Sequence, residues 1–101
     1  MKVDHGKVLG PLHVREDTRF HGMVDGGVTV APGVTFEMRG MIAGDVTIDS
    51  DARVELRGMV AGSVVNRGHL KIYGVVRGRV RDEDGGETEY EPVRIGESDR
   101  G

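Results

Sequence analysis

The chain contains no cysteine and no tryptophan, and its only aromatic residues are two phenylalanines and two tyrosines among 101 residues. Without cysteine it can build neither a disulfide framework nor a thiolate metal site, which agrees with a reducing compartment. No apolar run approaches the roughly 18 residues of a membrane-spanning helix, and the N-terminal sequence MKVDHGKVLG has no apolar core of a signal peptide. We therefore expect a cytoplasmic protein with no membrane span.

Glycine, in contrast, is abundant, with 17 copies in a chain of the length of one domain. Many glycines combined with few large side chains predict tight corners around a narrow interior that aliphatic residues fill. A wide ligand cavity is not expected. The net charge of -3 is too small to indicate a class of partner.

Five segments share the frame Gly-x-x-x-Gly-x-(Val/Leu), and their first glycines are separated by 16, 18, 18 and 16 residues. A period of about 17 residues is too short for a pair of helices and is typical of one coil of a β-solenoid. The segments read GKVLGPL, GMVDGGV, GMIAGDV, GMVAGSV and GVVRGRV. They begin at the residues that we call the first-glycine column: Gly6, Gly22, Gly40, Gly58 and Gly74.

Alignment on the first-glycine column reveals further positions that are apolar in nearly every copy. These positions alternate with polar ones, as in a half-buried strand, and no segment keeps the 3.6-residue period of a helix. The sequence thus predicts an all-β fold, a single-stranded β-solenoid (β-helix) of about five coils of 16–18 residues, with its handedness open. The predicted inward columns are Val8, Val24, Ile42, Val60 and Val76; Leu12, Val28, Val46, Val64 and Val80; Val14, Val30, Ile48 and the polar exception Asn66; Phe20, Met38, Leu56 and Ile72; and Thr18, Phe36, Val54 and Leu70.

The repeats end before the C-terminus, and we predict a β-helix core over residues 1–81. Residues 82–101 begin with the acidic, glycine-containing sequence DEDGGETEYE, which is typical of a solvated tail. Within this predicted acidic C-terminal tail, residues 90–95 alternate well enough to form a short edge strand, where Pro92 is tolerated.

Apolar residues also recur every six positions in the middle of the chain, which resembles the hexapeptide repeat of left-handed β-helix acyltransferases. In those enzymes the catalytic base is typically a histidine between adjacent subunits, so the resemblance would make His69 or His21 the candidate base. The coils of 16 residues interrupt the six-residue count, which leaves acyl transfer as a remote alternative. The residues of this series are Val24, Val30, Phe36, Ile42, Ile48, Val54 and Val60.

The better resemblance is to the bactofilins, polymer-forming bacterial cytoskeletal proteins whose repeats are alternating aliphatic residues broken by Gly-x-Val-x-Gly steps. Residues 54–80, VELRGMVAGSVVNRGHLKIYGVVRGRV, carry this resemblance most clearly. It implies a compact β-helix that binds no nucleotide and assembles end to end through its terminal coils. The physics of a solenoid agrees, since its end coils present unpaired backbone groups that something must cover.

One outward column beside the first glycines is rich in methionine, a residue common at adaptable binding surfaces. The alternative is that the corner turns these methionines inward. On the other side of the glycines stand arginines and a tyrosine, which are frequent in protein interfaces but also fit a solvated charge ladder. The candidate partner-binding residues are Met23, Met41, Met59, Arg39, Arg57 and Tyr73.

Other clusters carry weaker signals. Arg77, Arg79 and Arg81 form a basic trio, but acidic residues follow at once and no stacking aromatics accompany it, so we predict no nucleic-acid binding. His5, His13 and His21 are spaced by eight residues without a specific set of further ligands, so no metal site is predicted. No nucleophile elbow or phosphate-binding loop occurs, and we predict no catalytic residue, no cofactor and no enzymatic activity.

Two non-enzymatic functions are left. The first is a bactofilin-like β-helical scaffold that self-associates as a homo-oligomer, or binds a protein partner, through its solenoid walls or ends. The second is an immunity-type or inhibitor-type module that neutralises a toxin or an enzyme with one wall. The repeats favour the first function, while the short length and the acidic tail favour the second.

Overall fold

The computed structural model describes residues 2–90, which form thirteen β-strands and no helix. No helix in this part of the chain is therefore long and apolar enough to cross a membrane. The strands are β1 (Lys2–Leu9), β2 (Leu12–Val14), β3 (Thr18–Asp25), β4 (Val28–Val30), β5 (Thr35–Ile42), β6 (Val46–Ile48), β7 (Arg53–Leu56), β8 (Met59–Val60), β9 (Val64–Asn66), β10 (His69–Ile72), β11 (Val75–Val76), β12 (Val80–Asp82) and β13 (Glu87–Tyr90).

All strand pairs are parallel, and each strand pairs with its equivalent one coil away. One sheet runs in the order β1-β3-β5-β7-β10-β13, and β8 joins it by pairing with both β5 and β11. The other sheet runs in the order β12-β9-β6-β4-β2. This arrangement confirms the predicted β-solenoid of about five coils.

Each coil has three wall segments. Wall one precedes the first glycine of a coil, wall two follows it, and wall three is the short strand after the second glycine, as in β2, β4, β6, β9 and β12. The corner between walls three and one absorbs the difference between coils of 16 and 18 residues. It is short at Arg15-Glu16-Asp17 and longer where Gly33 and Asp51 adopt φ of 74° and 62°. The wall registers therefore stay in phase, as loop-length differences at corners allow.

The predicted inward columns form the core. Of their members, only Val8, Leu12, Val76 and Val80, all in the first or last coil, are half-buried instead of buried. Val34 and Ala52, at the longer corners, complete the buried set. Alternation of buried and exposed residues along β3, β5 and β7 gives the period of two that the sequence predicts.

The first-glycine column lies at one corner because the coils approach each other too closely there for any side chain. A Cβ atom on Gly22, Gly40, Gly58 or Gly74 would overlap the carbonyl oxygen of the glycine one coil earlier. The second glycines of the frames form a similar column, where a Cβ atom on Gly44 would lie 2.7 Å from the backbone of Gly26. Two of the three corners are thus closed by stacked glycine backbone.

The parallel ladder extends beyond the boundary predicted at residue 81. Strand β12 reaches Asp82, and β13, inside the segment assigned to the acidic tail, pairs in register with His69–Ile72 of β10. A corner with positive φ at Asp84 and Gly85 turns the chain into β13. The acidic residues Glu87 and Glu89 occupy exposed positions, which is why composition suggests a tail. Of the predicted edge strand 90–95, only Tyr90 lies within the described residues.

Candidate interaction surface

The methionine column runs in register along wall two. Met23 pairs with Met41, Met41 with Met59, and the column begins at Lys7 and ends at Val75. Met23 is 37% exposed, and Met41 and Met59 are half-buried rather than part of the core. The three thioether side chains therefore line the outer face of the solenoid beside the first-glycine column.

A polar column flanks the same glycines on wall one, formed by His21, Arg39, Arg57 and Tyr73. The Arg57 guanidinium carbon lies 4.1 Å from the centre of the Tyr73 ring, and its Nη2 lies 3.2 Å from Oε1 of Glu55. The stacking on the aromatic face and the pairing with a carboxylate both favour this orientation of the guanidinium. Arg57 and Tyr73 thus form a stacked cationic and aromatic pair on the outer face.

The ion pairs on wall one are of two kinds, one along a coil and one between neighbouring coils. Glu55 pairs with Arg57, two residues away, but Glu37 pairs with Arg19 of the previous coil at 3.2 Å. Arg39 is exposed and makes no ion pair with a described residue. It lies two residues from Met41 on β5, about 6–7 Å along an extended strand. The six predicted partner-binding residues therefore flank the first-glycine corner, with the methionines on wall two and Arg39, Arg57 and Tyr73 on wall one.

Within residues 2–90, the first coil of the solenoid has an unpaired edge. Strand β1 pairs only with β3 and β2 only with β4, so the other edge of each strand has no partner within residues 2–90. Val3 is 49% and Leu9 73% exposed, while the inward residues Val8 and Leu12 are only half-buried. An unpaired edge of eight residues with exposed apolar side chains is a site for strand addition.

At the C-terminal end, where β11, β12 and β13 likewise pair on one side only within residues 2–90, a polar network occupies part of the interior. Asn66 is fully buried, and its Nδ2 lies 2.8 Å from the carbonyl oxygen of Glu87 and 3.1 Å from both Asp82 Oδ1 and Thr88 Oγ1. Its Oδ1 accepts a hydrogen bond of 3.0 Å from the amide of Gly68. The Thr88 hydroxyl in turn donates to Asp82. The repeats identify Asn66 as the polar exception of its column but do not predict the network. Extended by one coil, the same repeats place Asp82 and Thr88 in adjoining inward columns.

Arg67 forms a charged cluster at the corner between walls three and one. Its guanidinium nitrogens lie 3.7 Å from Asp49, 3.3 Å from Glu83 and 3.2 Å from Asp84. These carboxylates belong to the preceding and following coils, so the arginine links three coils. This cluster is not among the residues predicted from the sequence, because the corner varies in length between coils.

The basic trio does not form one strand face. Arg77 follows β11, Arg79 precedes β12, and the glycine corner at Gly78 separates them. Only Arg81 lies on β12, where it pairs with Glu83 at 3.6 Å. The three guanidinium groups are thus distributed around a corner, unlike the continuous strand that would align them.

The histidines occupy different environments. His5 and His21 pair in register on β1 and β3, with ring centroids 5.2 Å apart. His69 Nδ1 lies 3.7 Å from Oε1 of Glu87, and His13 is exposed on wall three. Within residues 2–90 no group of three or more His, Cys, Asp or Glu side chains is placed to hold a metal ion.

A shallow depression of about 410 Å³ lies on the outer face of wall one. Charged side chains dominate its lining, with both signs represented. They are Arg53, Glu55, His69, Lys71, Glu87 and Glu89. The depression is separated from the methionine column by the polar column, so it is not part of the candidate interaction surface.

Comparisons with protein-family models, curated proteins and solved structures found no match for this chain.

Proposed function

We propose that the chain is a non-enzymatic, bactofilin-like β-helical scaffold that self-associates through its first coil. The observation that carries this proposal is the difference between the two ends. At the N-terminal end the unpaired strand β1 carries exposed Val3 and Leu9. At the C-terminal end the interior carries the polar network around Asn66. Association through the first coil would cover the open backbone edge and the half-buried apolar residues beneath it.

Because one end is apolar and the other carries a polar network, a closed pair of chains is favoured over a long filament. If the same surface of both chains is used, the contact is self-complementary and ends at two copies. A filament would also require stacking on the C-terminal end, where a new coil would have to pack against Asp82 and Thr88. The methionine column and the Arg57–Tyr73 pair stay exposed in such a pair, and we propose them as the surface that binds a protein partner.

Light scattering coupled to gel filtration tests the self-association. We expect a mass of twice 10.9 kDa for the full chain. The double variant Val3→Lys, Leu9→Lys should give a single-chain mass because it adds two charges at the edge without touching the core. Val75→Lys is the matched control, since Val75 is 57% exposed at the opposite end. A single-chain mass for the unmodified chain, or dissociation by Val75→Lys alone, would contradict the proposal.

A second function, the immunity-type or inhibitor-type module, is favoured by the stacked Arg57–Tyr73 pair beside the methionines. It predicts a one-to-one complex between a single chain and its target. For a purified target, Arg57→Ala and Met41→Glu should each weaken binding at least tenfold, whereas Thr47→Glu on wall three should not. If all three variants bind the target as tightly as the unmodified chain does, this surface is excluded as the binding site.

A further inference from the structure

His5 and His21 form a pair of imidazoles that the parallel register brings together. They face each other across β1 and β3, their ring centroids are 5.2 Å apart, and their ring planes differ by 30°. A one-residue difference in register would place one of the two rings on the inner face of the wall. The contact therefore follows from the fixed stacking of the first two coils.

The separation of the rings matches a shared metal ion. Nitrogen ligands bind zinc at about 2.0–2.1 Å, so two imidazoles on one tetrahedral ion have ring centroids roughly 5 Å apart. His5 is exposed and His21 half-buried, so both side chains have room to rotate and aim one nitrogen of each ring at a common point. Water can fill the other coordination positions because the pair lies on the outer face.

The residues around His5 and His21 indicate which class of metal ion the pair can bind. Neither histidine makes a hydrogen bond or an ion pair with a described side chain, whereas His69 faces Glu87 at 3.7 Å. The next residue in the column is the cationic Arg39, which pairs in register with His21. Without a carboxylate in the pair, a hard ion such as calcium or magnesium finds no suitable ligand. Imidazole nitrogens suit zinc, copper and nickel.

We propose that His5 and His21 form a two-imidazole binding site for a divalent transition-metal ion, at the open N-terminal edge of the solenoid. The site lies within one chain, so it does not depend on self-association. It takes one ion per chain and joins the first coil to the second. The ion therefore stabilises the coil that has only one neighbour.

Calorimetric titration of the full chain with zinc chloride tests the site. We expect one ion per chain, and at least a tenfold loss of affinity in both His5→Gln and His21→Gln. The matched controls His13→Gln and His69→Gln should bind within about twofold of the unmodified chain. Circular dichroism checks that each variant is folded, as expected for changes at outer positions.

A second measurement separates metal binding at this pair from adventitious binding. Zinc should raise the melting temperature of the unmodified chain and of the two controls, but not that of His5→Gln or His21→Gln, because an ion bound only by the folded state adds to its stability. The proposal is overturned by the absence of binding, by unchanged affinity in His5→Gln, or by one ion per two chains. Dissociation of a dimer in the lysine variants of the first coil would leave these readouts intact, so the two proposals fail separately.

Discussion

At the scale of single residues, the first-glycine column decides how closely successive coils approach. The glycines have the same parity in the alternation as the inward columns, most of which carry large apolar side chains. Gly22 and Gly40 adopt φ of 149° and 150°, but Gly58 does not have a positive φ. Close packing of one coil against the next is therefore the requirement common to the column, and conformational freedom is needed only at some of its members.

We predict that Gly58→Ala lowers the free energy of unfolding by about 1–3 kcal/mol, because its Cβ overlaps the Gly40 carbonyl oxygen and the two coils must separate. Gly33→Ala is the control. Gly33 has a positive φ of 74° but nothing within 4 Å of an added Cβ. Urea denaturation of both variants separates the two effects. A larger loss in Gly33→Ala than in Gly58→Ala would show that conformation, and not coil spacing, governs the glycines.

Asn66, a polar residue at an inward position, acts near the C-terminal end of the solenoid. Asn66 occupies a column that holds Val14, Val30 and Ile48 in the earlier coils. The amide satisfies both a backbone donor and a backbone acceptor in a place that water does not reach. The contribution of Asn66 to stability is therefore expected mainly in β13, the strand to which its side chain is hydrogen-bonded.

At the scale of elements, β13 is a short edge strand that extends the ladder of wall one. It pairs with β10 through Glu87–Tyr90, and its end residue Tyr90 is 64% exposed. Such a strand buries little apolar surface. The bonds from Asn66 to the Glu87 carbonyl and the Thr88 hydroxyl supply specific attachment in its place.

We predict that Asn66→Val, although it restores the apolar column, destabilises the chain by about 1–3 kcal/mol because the Gly68 amide and the Glu87 carbonyl lose their partners. The hydrogen-exchange rates of the amides in β13 should increase more than those of the amides in the central strands. Thr88→Val should have a smaller effect, since Asn66 keeps its backbone contacts. Unchanged protection of β13 in Asn66→Val would mean that the ladder alone holds the strand.

At the scale of the whole molecule, each coil contacts only its neighbours, as in other repeat proteins. Interior coils are supported on two sides and the end coils on one. The buried fraction follows this difference, since the inward residues of the interior coils are buried while Val8, Leu12, Val76 and Val80 are only half-buried. Stability should therefore fall from the middle of the solenoid toward its ends.

We predict that Val46→Ala costs about 2 kcal/mol of global unfolding free energy, since it leaves a cavity in a middle coil. Val14→Ala deletes the same atoms in the first coil and should mainly increase local opening of β1 and β2. Urea denaturation together with hydrogen exchange measures both quantities. Equal global losses, with no change in exchange at the first coil, would indicate one fully cooperative unit.

The repeat makes much of this fold readable in the sequence. In a solenoid, residues one period apart lie in adjacent coils, so an alignment of repeats is already a map of contacts. The alternation along each coil identifies the inward columns, and the two glycine columns identify two corners. The same alignment places Met23, Met41 and Met59 in one outer column, which the register of β3, β5 and β8 confirms.

Tertiary structure alone decides the features that depend on side-chain direction and on contacts across the ends. The stack of Arg57 on Tyr73, the approach of His5 to His21 and the bonds of Asn66 to β13 require particular rotamers and a particular corner path. Composition predicts a tail where β13 forms, because acidic residues occupy its outward positions. The coil can be predicted from local patterns, since alternation and glycine spacing are enough to define a repeat. The polar network that distinguishes the C-terminal end from the N-terminal end depends on interactions between coils, and these exist only once the chain is folded.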